Sequence, residues 1–401
     1  MIKLRDPSSF LKIEYDDLVT KALDWKLKEV EGPSEPVAMV DGREVLILCS
    51  NNYLGLTTHP KLKEAAIEAT RKYGVGSGAV RAISGTMDLH FELEMRLAKF
   101  KRSEASLTYP TGFQANSGLI PQLVGEGDLI ISDELNHGSI IDGVRLSRGE
   151  RAVYKHNDMK DLAKVLDEAE RHNPLYRRIL IITDGVFSMD GDMAPLDKIS
   201  ELGKEHGAMI YVDDAHGEGV LGEGGRGIVS HFHLDHKKVQ VEMGTFSKAY
   251  GTVGGHISGS EDLIKFAWNK SRTWLLSSSL PPPVVAATIA AIDVLEKEPQ
   301  HVQKLWKNTN YFKKAVQDLG FNTGLSQTPI IPIIVGESQT AKTFSDKLYE
   351  SGIFVVPIVF PMVARDKSRI RVQMSAKLTK EQLDDVLLKL SKIGKELKIL
   401  P

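Results

Sequence analysis

The chain has 401 residues, 42% hydrophobic and 26% charged, with a formal net charge of −2. That length exceeds one small core and fits two domains with an extra arm, and the near-neutral charge gives no reason to expect nucleic acid or an acidic membrane as partner. The single cysteine, Cys49, excludes an intrachain disulfide, residues 1–6 lack the apolar core of a signal peptide, and no apolar run approaches the ~20 residues that span a bilayer, so a cytoplasmic enzyme is expected.

Ser8 is placed to cap a helix carrying Leu11, Leu18, Leu23, Leu27 and Val30, ended by Gly32-Pro33. Two apolar runs, 37–40 and 45–49, then flank Asp41-Gly42, a two-residue hairpin signal. Residues 1–50 thus form an N-terminal arm, too small to enclose a core.

From residue 51 to 283 the pattern becomes that of a large α/β domain. Helices are expected over 60–73, 88–100, 114–123, 159–169 and 195–206. Strands are expected over 105–109, 129–132, 152–154, 179–183, 209–212 and 239–243. Unbroken apolar strands separated by amphipathic helices imply a mostly parallel sheet covered on both faces, with reactive groups at the strands' carboxyl ends. Asp184 and Asp213 both fall at such ends. Pro281-Pro282-Pro283 opens an apolar helix over 284–295, a bridge to a smaller α+β domain over 284–401. That domain is expected to hold helices near 302–319, 341–351 and 378–397. Its strands are expected near 330–335, 353–356 and 370–374.

The chemistry concentrates in one stretch. Ile210-Tyr211-Val212-Asp213-Asp214-Ala215-His216 is an apolar strand ending in two carboxylates and an imidazole. Gly244-Thr245-Phe246-Ser247-Lys248 follows, with Gly251-Thr252-Val253-Gly254-Gly255 beyond it. An aspartate opposite a pyridine nitrogen, a lysine able to form a Schiff base, and hydroxyls for a phosphate are what pyridoxal phosphate (PLP) requires. Lys248, set among small and apolar residues, is withdrawn from water, which lowers its pKa and makes it both nucleophile and base. Thr111-Gly112-Phe113 lies between a strand and a helix, where backbone N–H groups bind anions. Arg371 lies on a short strand where a guanidinium can clamp a carboxylate in bidentate fashion.

Each of these residues also has a plainer reading. Asp213 or Asp214 can cap the next helix, His216 can be structural, His137 can be an exposed loop side chain, and Arg371 can be half of a surface ion pair. The runs 74–78 and 222–227 are glycine-rich but lack the spacing of nucleotide loops, and no Cys/His cluster has metal-ligand spacing.

Taken together and in this order, the pieces are more specific. Ser50-Asn51-Asn52-Tyr53-Leu54-Gly55-Leu56, Gly85-Thr86, Thr111-Gly112-Phe113-Gln114-Ala115-Asn116 and the run from Asn136 to Gly143 belong to the set. So do Asp184-Gly185-Val186-Phe187-Ser188-Met189-Asp190-Gly191, Val212-Asp213-Asp214-Ala215-His216-Gly217 and Gly244-Thr245-Phe246-Ser247-Lys248. Over essentially its whole length the chain resembles the α-oxoamine synthase family of fold-type I PLP enzymes. That fold has a mostly parallel central sheet covered by helices and a smaller C-terminal α+β domain.

The resemblance implies roles residue by residue. Lys248 matches the lysine that carries the cofactor, Asp213 the partner of the pyridine nitrogen, and His137 the histidine stacked on the ring. Ser188 and His216 match residues on the phenolic oxygen, and Gly112, Phe113 and Thr245 match phosphate-side positions. Ser277 and Ser278 match residues supplied by the neighbouring subunit, which implies a homodimer with shared sites. Arg371 matches the arginine for the amino-acid carboxylate, and Asn52 a polar residue near the substrate.

The implied reaction joins an amino acid to the acyl group of an acyl-CoA. The segments 369–376 and 393–397 are most similar to the glycine C-acetyltransferase branch (2-amino-3-ketobutyrate CoA ligase). Glycine and acetyl-CoA, in threonine catabolism, are therefore the expected substrates. The alternative is the 8-amino-7-oxononanoate synthase branch, with alanine and pimeloyl-CoA. An aminotransferase or decarboxylase on the same scaffold would need no acyl-CoA, and a non-enzymatic descendant would need none of Lys248, Asp213, His137 and Arg371.

Overall fold

In the computed structural model, which describes residues 6–21, 23–172 and 174–401, the apolar runs of the middle of the chain build one seven-stranded sheet. Its order is Ala105–Tyr109, Gly255–Gly259, Val241–Thr245, Met209–Asp213, Ile179–Asp184, Leu129–Asp133 and Glu150–Tyr154. Only Gly255–Gly259 runs against its neighbours; the other strands are parallel. Successive side chains point to opposite faces. Ile181 accordingly packs in one apolar cluster, and Leu180 and Ile182 pack in the other. Burial on both faces is why these strands are continuously apolar.

Gly255–Gly259 is not foreseen by the sequence reading, which leaves it in a glycine-rich loop. Its small residues have a packing reason. A Cβ on Gly255 would lie 2.6 Å from both the Cα and the N of Gly112, so the start of the helix Gly112–Leu123 rests directly on the sheet backbone. The expected strand at 239–243 is found at Val241–Thr245, which carries Thr245 to the strand's carboxyl end.

The helix Pro60–Tyr73 begins at proline, whose fixed φ suits a first turn, and ends at Gly74 with φ +84°. The bridging helix, Pro282–Lys297, packs on Pro60–Tyr73 and Asp88–Lys101. The smaller C-terminal sheet is antiparallel, in the order Ile330–Gly336, Ser368–Gln373, Val356–Ile358. Alternation places Arg369, Arg371 and Gln373 on one face of Ser368–Gln373, opposite the buried Ile370 and Val372.

The N-terminal arm departs from expectation in two respects. Its helix covers only Ser9–Thr20, with no buried residue, and the Ser8 hydroxyl bonds Asp6 rather than capping the helix. Without a core to cover, the apolar spacing beyond Thr20 does not sustain helix. The hairpin does form, with both turn residues in the left-handed region (Asp41 φ +49°, Gly42 φ +71°) that a tight two-residue turn requires. It does not stand apart, because Ile353–Phe354 pairs in parallel with Arg43–Ile47 and joins arm and C-terminal third in one sheet. The single strand expected at 353–356 is therefore two short strands in different sheets. The expected character of residues 1–5 lies outside the described residues. Among those described, no helix is long and apolar enough to cross a membrane.

Candidate active site

The carboxyl ends of the parallel strands and the start of the helix Gly112–Leu123 enclose a cavity of about 240 Å³. Eight expected residues line it: Gly112, Phe113, His137, Ser188, Asp213, His216, Thr245 and Lys248. Four do not. Asn52 donates to Thr57 Oγ1 (2.7 Å) and to the Ser34 carbonyl (3.2 Å). Ser277 Oγ accepts from Gln114 Nε2 (2.9 Å), and Ser278 bridges to Val80. Arg371 stands beyond the lining, with Nε and Nη2 buried and unbonded, and its charge lowers the pKa of both Lys248 and His216.

Asp213 ends its strand with its carboxylate held at both oxygens. The Ala215 N–H donates to Oδ1 (3.0 Å), and Asn116 Nδ2 donates to Oδ2 (2.8 Å). Asp214, its neighbour, turns to the opposite side, where it accepts the Ile228 N–H (2.9 Å) and lies 3.8 Å from the buried Lys101 ammonium. Of the two, only Asp213 lines the cavity.

Lys248 is pushed down from its ordinary pKa, first by burial and then by Arg371, while Asp213, Asp184 and Glu218 oppose the shift. Burial also lowers His137, with Asp213 opposing and Lys248 assisting. His216 is held well below the usual imidazole range by burial, Lys248, Arg371 and His137. Its Nδ1 is 2.8 Å from the Tyr53 hydroxyl, which stays a phenol because burial pushes it up to about 12; with Tyr53 as the donor, His216 carries its proton on Nε2.

His137 is no mere loop side chain: it caps the helix Gly138–Leu146, its Nδ1 accepting the Ser139 N–H (3.2 Å). Its own N–H donates to Asp184 Oδ2 (2.7 Å), while Asn136 Oδ1 accepts the Asp184 N–H (2.7 Å). Asp184, beside Asp213 in the sheet register, is raised well above the usual carboxylate range by burial and by Asp213.

Behind these loops, His156 links Asp133 Oδ1 (3.0 Å) and Asp192 Oδ2 (2.8 Å). One carboxylate begins the loop to His137; the other ends the loop that carries Ser188. Arg369 holds the same Ser188 loop through the Met189 carbonyl (3.0 Å) and Asp190.

At the far end Thr111 Oγ1 caps the Gln114 N–H (3.1 Å), leaving the Gly112 and Phe113 N–H groups without an intrahelical partner. This is a ready anion seat. Thr245 donates its proton to the Gly254 carbonyl (2.8 Å) and lies 2.9 Å from Ser247 Oγ. Serving a phosphate means turning that hydroxyl away from Gly254. An anchored carboxylate, a desolvated amine and a helix-start anion seat around one cavity fit the ring, aldehyde and phosphate of PLP.

Sequence reading placed Asp184 at a strand end without giving it a role, and it missed the roles of Tyr53 and Ser139 and the bonding of Asn116. The one signal for Asn116 was a polar residue among buried apolar positions of its helix, with Ala115, Leu119 and Ile120 also fully buried.

Comparison with known proteins agrees. Residues 43–390 match the aminotransferase class I and II family. An 8-amino-7-oxononanoate synthase of Symbiobacterium thermophilum is 53% identical over 393 residues, covering 98% of this chain and 99% of the relative. The one from Bacillus subtilis is 47% identical, with 98% of each chain covered. The solved serine palmitoyltransferase of Sphingomonas wittichii superposes with a TM-score of 0.92 at 31% identity, over 99% of this chain and 100% of that one.

The chain belongs to the aminotransferase class I and II family. Within it, it is a fold-type I, PLP-dependent enzyme of the α-oxoamine synthase group. The expected glycine C-acetyltransferase specificity is overturned, because full-length relatives at 47% to 53% identity carry a different name. The segments 369–376 and 393–397 were too short to separate the branches.

Proposed function

We propose that the chain is an 8-amino-7-oxononanoate synthase. It joins alanine to the pimeloyl group of pimeloyl-CoA, releasing CoA and the alanine carboxylate as CO₂. The observation that carries this reading is the full-length identity of 53% to a relative of that name.

Bound PLP supplies the electron sink for the carbon left when a bond to Cα breaks. Asp213 faces the ring nitrogen, where its anchored carboxylate favours a protonated nitrogen. Lys248 would hold the cofactor's aldehyde end and would accept the Cα proton; its lowered pKa favours the unprotonated amine that both roles need. The neutral His137 covers the ring face. Ser188 and His216 hold the phenolic oxygen, with the Tyr53–His216 bond leaving the His216 Nε2–H for that contact. The Gly112 and Phe113 N–H groups, with Thr245, hold the phosphate. Arg371 receives the amino-acid carboxylate on its two unbonded buried nitrogens, with Asn52 nearby. Ser277 and Ser278 belong to the neighbouring subunit's site in a homodimer.

The test is release of free CoA thiol from alanine, glycine and serine, each paired with pimeloyl-, acetyl- and palmitoyl-CoA. Alanine with pimeloyl-CoA should give the highest kcat/KM. A silent alanine–pimeloyl pair beside an active different pair would refute the reading.

A further inference from the structure

Asn116 is fully buried in the second turn of the helix whose start forms the anion seat, four residues after Gly112 and so on the same helix face. Both donors of its amide and its carbonyl oxygen are engaged. Nδ2 donates to Asp213 Oδ2 and to Ser139 Oγ, both at 2.8 Å, and Oδ1 accepts from the Tyr211 hydroxyl at 2.8 Å. The amide has one tenable orientation: reversed, its carbonyl oxygen would face a carboxylate oxygen at hydrogen-bond distance. Tyr211 enforces this orientation as a donor, since burial and Asp213 hold its hydroxyl well above the usual phenol range. Ser139 Oγ, already an acceptor from Asn116, directs its single proton to His137 Nδ1 at 2.7 Å.

We propose that Asn116 is a positioning residue for the cofactor. A single side-chain amide pins the Asp213 carboxylate and, through Ser139, the His137 imidazole, so that the group on the ring nitrogen and the group over the ring face are set from one point. The same helix provides the anion seat one turn earlier, which places all three from one rigid element. His137 is left with its proton on Nε2, because Nδ1 accepts from both the Ser139 N–H and hydroxyl. The inference rests on the cofactor seat and not on the proposed substrates, so a different substrate pair in the CoA assay leaves it standing.

The experiment titrates cofactor-depleted protein with PLP, and separately follows the absorbance of the bound cofactor against pH. Asn116→Leu removes both donors while keeping the branched frame of the side chain. It should weaken PLP binding about tenfold or more, equivalent to about 1.4 kcal/mol, and move the absorbance–pH curve. Thermal unfolding of the cofactor-depleted variant should fall by only a few degrees. Ser139→Ala cuts only the branch to His137; it should weaken binding less and leave the absorbance–pH curve in place. The proposal is overturned if Asn116→Leu binds PLP within about threefold of the wild type, or if its absorbance–pH curve is unchanged. It is equally overturned if the cofactor-depleted variant loses stability in proportion to its loss of affinity, which marks a purely structural amide. Should Asn116→Leu not fold, Tyr211→Phe, which removes the donor to Oδ1 and so loosens the hold on the amide, takes its place with the same direction of change expected. Unaltered binding and an unaltered curve in that variant overturn the proposal.

Discussion

Replacing His156 with leucine removes a side chain that ties the His137 loop to the Ser188 loop. Its two bonds run to carboxylates that are almost wholly enclosed, Asp133 at 0% and Asp192 at 7% side-chain exposure, while the ring itself is 20% exposed. Each charge-assisted bond contributes about 1.5–3 kcal/mol, and neither carboxylate is wholly stranded by the change, since Asp133 keeps the Leu135 and Asn157 N–H donors and Asp192 keeps Asn157 Nδ2. A loss of about 3 kcal/mol at pH 7 is therefore expected. The two carboxylates outweigh burial and raise His156 to about 10, so the folded state binds the proton more tightly than the unfolded chain does. The contribution is accordingly complete below the ordinary imidazole pKa and fades as pH rises through about 10. Urea unfolding of cofactor-saturated protein at fixed concentration, at several pH values, measures the gap between wild type and variant. The gap should be widest below pH ~6.5 and should shrink steadily from there until it levels off near pH ~10. A gap under about 1 kcal/mol at pH 7, or one that does not change with pH, would refute the reasoning.

Two further outcomes test the substrate end and the shared site. Arg371→Ala should raise the amino-acid KM by about 10- to 100-fold, the equivalent of one or two charge-assisted bonds, and change the acyl-CoA KM far less; equal changes in both reject the clamp. Mixing Lys248→Ala chains with Ser277→Ala/Ser278→Ala chains should restore part of the activity that each lacks alone, by forming one intact site per hybrid dimer. No rescue in a confirmed hybrid dimer counts against sharing.

Much of this arrangement was legible in the sequence because strand ends and charged tails announce themselves. Asp213 stands out where an apolar run stops, and Lys248 where hydroxyls and glycines gather. Both line one cavity. Pro60 marked its helix start because proline's fixed φ and missing N–H suit a first turn. Gly255–Gly259 escaped because close packing against the helix start selects small residues, which from sequence look like a loop. The N-terminal helix was overextended because periodicity alone does not supply a partner surface. Tyr53 gave no local signal and Asn116 only that of a polar residue among apolar ones, since their roles depend on neighbours 163 and 97 positions away. Substrate choice was misread for the same reason. It depends on pocket shape assembled from distant segments rather than on any one motif.

The contact between Gly112 and Gly255 has a consequence for how this scaffold diversifies. With no side chain between helix start and sheet, the spacing of the anion seat from the strand ends is fixed by main chain alone, beyond the reach of substitutions elsewhere in the lining. Arg371 and Asn52, by contrast, stand outside that seat on separate segments of chain. Preference for one amino acid or another can drift there while the cofactor's berth stays put, which suits a scaffold whose relatives bear the names of different synthases and transferases.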